Sequence, residues 1–173
     1  MNSLSQMTQP MKTLPSELEA PYEKISQWVT PLGFSVSCDT EDIADFPRGR
    51  LGEYDAGSVF EKEILVRISL DNIRRAARKF RIPEKGYLAE CALTLFHEVG
   101  HALVEQLLDW ADSIPEFLPA LEASHGDAFF DVFNDDNMDE ETLVEDFAHG
   151  FQSGRGSVLQ RCAEAADVVV QTL

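Results

Sequence analysis

The hydrophobic positions of this 173-residue chain change their spacing between its two halves. Over residues 15–29 apolar side chains recur at helical intervals after a serine start signal, which predicts a helix. Over residues 34–38 apolar side chains alternate with serine, and residues 59–70 are rich in β-branched side chains, so both segments predict strands. Gly, Pro and Asp are dense over residues 41–58, which predicts a loop or a loose hairpin.

The remainder of the chain is predicted to be helical. Two prolines and a glycine interrupt residues 113–135. Asn137 is the expected N-terminal cap of the helix that follows, because Glu140 stands three residues later. These helices are expected over residues 71–80, 87–109, 138–151 and 157–171.

Strands followed by helices predict an α+β fold, with a small N-terminal β-sheet packed on helices. Residues 1–14 are mostly polar and show no periodicity, which predicts a flexible tail. With 44% apolar residues overall, residues 15–173 are enough for a single domain with its own core.

The charge of the chain is strongly negative and unevenly distributed. The formal net charge of −17 argues against a sequence-independent nucleic-acid partner and against an anionic membrane surface. Residues 74–81 hold five of the 14 cations, whereas residues 86–154 contain no Lys or Arg. The fourteen Asp and Glu residues between positions 101 and 150 must therefore be solvated, paired with the basic segment, or neutralised by a bound cation.

The sequence shows no stretch typical of membrane insertion or secretion. No window has the roughly 18 continuous apolar residues of a membrane span, and the first twelve residues lack an apolar signal-peptide stretch. We therefore expect a cytoplasmic protein.

One motif carries chemistry, the HEVGH segment at residues 97–101 within the long predicted helix. Residues four apart lie on the same side of a helix, so His97 and His101 can chelate one ion. The same helix has a polar face that includes Glu98 and an apolar face on the opposite side, so it buries one side and presents the motif. The apolar face consists of Ala89, Ala92, Phe96, Val99, Leu103 and Leu107.

Two imidazoles with one further protein ligand suit a catalytic Zn²⁺ site that keeps a position for water. Glu98 is then placed to act as the general base, taking a proton from that water and delivering it to the leaving amine. The third ligand is expected on the predicted helix 138–151. Glu145 and Asp146 flank the apolar stripe of that helix on opposite sides, and periodicity alone does not choose between them.

Two segments, LFHEVGHAL at residues 95–103 and EDFAHGF at residues 145–151, resemble the minimal gluzincin-type zinc peptidases, among them the ImmA/IrrE-type peptidases of bacteria and mobile elements. Those enzymes carry HExxH followed by a helix of the form ExxAxxF(A), whose Glu is the third zinc ligand. The resemblance implies that Glu145 completes the metal site, and that the fold is zincin-like with residues 64–69 forming the sheet edge beside an extended substrate. Gln152 stands where an alanine often follows the phenylalanine, and the stretch between the two segments is long.

Other side chains are candidates for supporting roles. His149, four residues after Glu145, could orient a ligand, bind the metal itself or stabilise an oxyanion, and His125 could polarise a carbonyl from a loop. Glu105 could orient an imidazole. Tyr54 and Tyr87 are candidate transition-state donors, although buried tyrosines with satisfied hydroxyls are commoner.

The sequence therefore supports two hypotheses from different classes. The first is a zinc-dependent metallopeptidase that hydrolyses a protein or peptide substrate, with His97, His101 and Glu145 holding the metal and Glu98 as base. The second is a non-catalytic acidic interaction protein that imitates DNA or sequesters a basic partner, with or without a zinc site. Nothing in the sequence names the substrate or the oligomeric state.

Overall fold

The computed structural model describes residues 14–40, 49–57, 61–134 and 139–173. The described part of the chain is α+β and mostly helical, with seven α-helices and a three-stranded mixed sheet. The helices are α1 (Ser16–Val29), α2 (Leu70–Lys79), α3 (Glu84–Ser113), α4 (Phe117–His125), α5 (Phe130–Phe133), α6 (Glu140–Ser153) and α7 (Val158–Thr172). The strands are β1 (Ser35–Asp39), β2 (Gly52–Asp55) and β3 (Glu63–Ile68). All of the predicted tail except Leu14 lies outside the described residues.

The sheet has the order β1-β3-β2, with β1 parallel to β3 and β2 antiparallel to it. Along β3, Ile64, Val66 and Ile68 are buried and the residues between them are not, which confirms the predicted alternation. Residues 41–58, predicted to form a loop or a loose hairpin, contribute β2, which forms an antiparallel pair with the next strand, β3. This short strand contains a glycine and lacks alternating apolar residues, and it is held by pairing with β3.

Backbone contacts outside the sheet also fix the position of β2. The buried side chain of Asn72, at the start of α2, donates a hydrogen bond of 2.7 Å to the carbonyl of Arg50. The amide of Ser69 donates to the carbonyl of Leu51 at 2.8 Å. The residues that lead into β2 are therefore tied to the junction of β3 and α2.

Helix α3 crosses the molecule and carries the HEVGH motif. It begins after Pro83 and ends at Ser113, and is longer at both ends than the predicted 87–109. Its closest helical neighbour is α6, against which Gly100 packs. A β-carbon built on Gly100 would lie 2.9 Å from Cγ1 of Val144 and 3.0 Å from Cδ1 of Phe147. The missing side chain of Gly100 is therefore what allows the two helices to approach this closely.

The ends of α6 are fixed by specific contacts. Its N-terminal cap is Asp139, whose side chain accepts a hydrogen bond from the amide of Glu141 at 3.2 Å, in place of the expected cap Asn137, which lies outside the described residues. At the C-terminal end, the ammonium of Lys24 donates to the carbonyl of Phe151 at 2.7 Å, and Gly154 adopts a left-handed conformation. The Asp139 cap and Gly154 therefore define where α6 begins and ends, and Lys24 ties its C-terminal end to α1.

The core lies between the sheet and the helices and is a single cluster of buried side chains. Among the described residues, none of the helices is long and apolar enough to span a membrane.

Candidate metal centre

The side chains of the two motif histidines lie next to each other on the same side of α3. Their Nε2 atoms are 3.1 Å apart, and the two rings meet edge to face with centroids 4.8 Å apart. His101 is buried, whereas His97 is partly exposed. Burial lowers the pKa of His97, and the neighbouring His101 lowers it further, although the carboxylate of Glu141 opposes this effect. The uncharged imidazole favoured in this way is the form that binds metal ions.

A carboxylate from the first turn of α6 completes the group. Glu141 Oε1 lies 2.8 Å from Nε2 of His101, and its Oε2 lies 3.3 Å from Nε2 of His97. His97, His101 and Glu141 together form a set that could hold a metal ion. Bonds of about 2.0–2.1 Å in a regular tetrahedron would place ligand atoms about 3.3 Å apart. The 3.1 Å between the two Nε2 atoms is close to this spacing, and the three ligand atoms, one from each residue, lie within 4.8 Å of one another.

Glu145, the sequence-predicted third ligand, lies one helical turn beyond Glu141. Its side chain is 62% exposed, and its Oε2 lies 4.0 Å from Nε2 of His149. The structure brings Glu141 and not Glu145 into the group with both histidines. Asp146, the other acid considered for this position, accepts a hydrogen bond of 2.8 Å from Arg155 on the surface.

A sequence signal for Glu141 was present. The ExxAxxF(A) pattern can be aligned four residues earlier, on ETLVEDFA at residues 141–148. In that alignment Ala148 follows Phe147, as the pattern requires, and Val144 replaces its first alanine. The alignment on Glu145 keeps the first alanine but places Gln152 after Phe151. The two alignments each miss one position, so the pattern alone does not choose between Glu141 and Glu145.

Glu98 projects from α3 toward the start of β2. A β-carbon built on Gly52 would lie 3.0 Å from Cγ and 3.2 Å from Oε1 of Glu98, so the glycine leaves room for this side chain. Burial raises the pKa of Glu98 to about 6, and the Glu141 carboxylate also raises it, while His101 opposes the shift. A carboxylate with this pKa can accept a proton near neutral pH and release it again.

Tyr54 on β2 supports His101 from the other side. Their rings are stacked, with centroids 5.5 Å apart and planes 7° from parallel. Burial raises the pKa of the Tyr54 phenol to about 12, and the carboxylate of Glu105 contributes to the increase. Glu105 is exposed and lies beside this phenol, so the structure associates it with Tyr54.

A groove passes the candidate metal centre along α3. It consists of two cavities of about 490 and 830 Å³. Both cavities are lined by Gly52, His97, Glu98 and Glu141. The smaller cavity extends to Glu90 and the larger to Glu105. At a rise of about 1.5 Å per residue along α3, Glu90 and Glu105 are about 22 Å apart. This distance is the length of about six or seven residues of extended peptide.

Strand β2 forms one wall of the larger cavity along its whole length. Within the described sheet β2 pairs on one side only, with β3. The prediction that residues 64–69 form the sheet edge beside the substrate is therefore wrong, because β3 is the central strand and β2 occupies that edge.

The remaining candidate residues are divided between the groove and the rest of the molecule. His149 lines the smaller cavity together with Glu145. His125 lies at the C-terminal end of α4, where its ring contacts Ser124 and Phe129, and it is not among the described residues lining either cavity. Tyr87 is buried and its hydroxyl donates to Glu17 at 3.1 Å, so its role is in packing.

No protein-family model matches the chain, and no curated protein or solved structure is significantly similar to it. The resemblance to the minimal zinc peptidases therefore rests on the two short sequence segments alone.

Proposed function

We propose that this protein is a zinc-dependent metallopeptidase of zincin-like fold that cleaves within a peptide chain. The observation that carries the proposal is the convergence of His97, His101 and Glu141, whose ligand atoms lie within 4.8 Å of one another, with Glu98 beside them on the same groove. Each of these residues has a role in metal-assisted hydrolysis, and a groove is where a peptide substrate would have to lie.

The donor set favours zinc. Two imidazoles and one carboxylate are the ligands of a class of catalytic zinc sites with an open fourth position. The same donor types also hold iron(II) in oxygenases, but an adjacent general base such as Glu98 belongs to hydrolytic zinc chemistry. A zinc ion bound by these residues would lower the pKa of a water molecule to about 7 and polarise the substrate carbonyl.

The side chains around the metal ligands supply the proton transfers and the positioning. Glu98 accepts a proton from the attacking water and delivers it to the leaving amine, which its raised pKa permits near neutral pH. Tyr54 holds the ring plane of His101 by stacking. On the side of β2 that no described strand pairs with, the backbone groups are offered to an extended peptide.

The groove favours cleavage within a chain over removal of a terminal residue. It continues along α3 on both sides of His97 and Glu98, toward Glu90 in one direction and toward Glu105 in the other. Substrate residues can therefore be accommodated on both sides of the scissile bond.

The metal part of the proposal is tested by elemental analysis of protein purified without chelator. We expect about one zinc per chain, which three protein ligands with an open position predict. His97→Ala and His101→Ala should each lose the ion. Wild-type protein that binds no zinc, even when zinc is supplied, would refute the peptidase proposal and leave the acidic interaction protein as the working hypothesis.

The catalytic part is tested with Glu98→Gln, which preserves shape and removes basicity. This variant should bind zinc as the wild type does and remain folded, while peptide cleavage falls by about 10²-fold or more, the effect of removing a general base. Cleavage near the wild-type rate in Glu98→Gln would show that the water is activated by another group.

A further inference from the structure

The smaller of the two cavities along the groove is lined by both carboxylates and apolar side chains. Beyond the residues that it shares with the metal centre, its acids are Glu90 from α3 and Glu145 from α6. Its other polar lining residues are Thr94 and His149, and Nε2 of His149 lies 4.0 Å from Oε2 of Glu145. Its apolar lining is formed by Leu51, Leu93 and Ala148. None of the described residues that line this cavity is a Lys or an Arg.

This combination matches one kind of peptide side chain. Lysine and arginine have an apolar stem of three or four methylene groups and a cationic head, and they place the stem on apolar surface while the head reaches a polar partner. In the smaller cavity the stem can contact Leu93 and Ala148, and the head can reach Glu90 or Glu145. An acidic side chain placed there would face these carboxylates without a lysine or arginine among the described lining residues to offset them.

The larger cavity is lined by acids as well, but it also contains two arginines. Arg50 and Arg67 both contact the carboxylate of Glu53, at 3.6 and 2.5 Å. The two cavities therefore differ in whether basic side chains line them, and the smaller cavity has no Lys or Arg among its described lining residues to pair with an acidic substrate side chain.

We propose that the smaller cavity is a specificity subsite for a lysine or arginine side chain of the substrate, close to the bond that is cleaved. This inference rests on the proposed peptidase function and adds the class of substrate. The net charge of −17 supports it, because a strongly anionic protein attracts cationic peptides over distances beyond contact.

The experiment uses quenched fluorescent peptides built on one short neutral host sequence. A single guest residue, Lys, Arg, Gln or Glu, is moved through the positions on both sides of the cleaved bond, and kcat/KM is measured for the full-length zinc-loaded protein. We expect the Lys and Arg guests to exceed the Glu guest by about tenfold or more at one position on one side of the bond, with Gln in between. The preference should decrease as salt is added.

Two variants assign the preference to the cavity. Glu90→Gln should reduce the Lys-over-Gln preference about threefold to tenfold without loss of zinc, since Glu90 is not among the candidate ligands. Asp112→Asn, an exposed acid near the other end of the same helix, removes the same charge and should leave the preference unchanged. Equal effects of the two variants would show that net charge, and not the cavity, sets the preference.

Binding separates this inference from the proposed function. Anisotropy measures the affinity of Glu98→Gln with zinc for labelled Lys and Glu guest peptides, and it requires no cleavage. Equal cleavage and equal binding of the two peptides would overturn the subsite while leaving the peptidase intact. Absence of cleavage by the wild type together with preferential binding of the Lys peptide would overturn the peptidase and retain the cation-binding cavity. Absence of cleavage with equal binding would overturn both.

Discussion

Replacing Gly100 with alanine tests whether the contact between α3 and α6 positions the metal centre. The added β-carbon would lie 2.9 Å from Cγ1 of Val144 and 3.0 Å from Cδ1 of Phe147. Carbon atoms normally approach to about 3.5–4.0 Å, so α6 or its side chains must retreat by about 0.5–1 Å. Glu141 lies one turn before Val144 on the same helix and would move with it.

The expected changes in stability and in metal affinity differ in size. Overpacking of a core contact costs about 1–3 kcal/mol, whereas alanine in place of glycine inside a helix gains about 1 kcal/mol. The net destabilisation is therefore about 0–2 kcal/mol, which lowers Tm by at most about 8 °C in a chain of this size. Metal sites tolerate changes in ligand distance of only about 0.2 Å, so a shift of about 0.5 Å in Glu141 should weaken zinc binding by at least about tenfold.

Chelator competition and thermal unfolding of the metal-free protein measure these two quantities separately. The double variant Gly100→Ala/Val144→Ala removes the Val144 methyl groups, one of which the new β-carbon would contact, and should recover part of the zinc affinity. Unchanged zinc affinity in Gly100→Ala, with a Tm raised by the full helix-propensity gain, would refute the argument that this contact sets the position of Glu141.

Two further substitutions examine the ligand set itself. Glu141→Ala should weaken zinc binding by well over about 100-fold, because removing even a group that only orients a metal ligand lowers metal affinity about 10–100-fold. Glu145→Ala is the matched control one turn away. A larger loss of zinc affinity in Glu145→Ala than in Glu141→Ala would identify Glu145 as the third ligand. Tyr54→Ala should lower zinc affinity about tenfold by removing the ring stacked on His101, whereas Tyr54→Phe keeps the stack and should stay within about twofold. Equal zinc affinities in the two Tyr54 variants would show that the stack does not position the histidine.

The elements with strong periodicity could be predicted from the sequence. The alternation in β3 repeats over several residues because one face of the strand is buried and the other is not. The apolar face predicted for α3 is buried at Phe96, Val99, Leu103 and Leu107, but residues 99–104 are all buried, so the middle of this helix lacks the predicted exposed face. The motif residues His97, Glu98 and His101 were predicted together because their spacing is local to one helix. These features depend only on residues close together in the chain.

Strand β2 could not be predicted in the same way. Its four residues, GEYD, are too few to establish a period, and their burial is intermediate or low. They form a strand because β3 offers hydrogen-bonding partners and because Asn72 holds Arg50 in place. These partners come from later in the chain, so the sequence of β2 by itself carries little of the information that defines it.

The sequence of α6 alone does not determine which of its carboxylates lies beside the two histidines. Glu141 and Glu145 are four residues apart and therefore lie on the same face of the helix, separated by about 6 Å along its axis. Rotation of the helix does not choose between them, because both face the groove when either does. The choice is made by the axial position of α6 against α3, which Gly100 fixes by admitting Val144 and Phe147. Which carboxylate of α6 lies beside the two histidines therefore depends on α3 as well, through Gly100, the one residue of the motif that has no side chain.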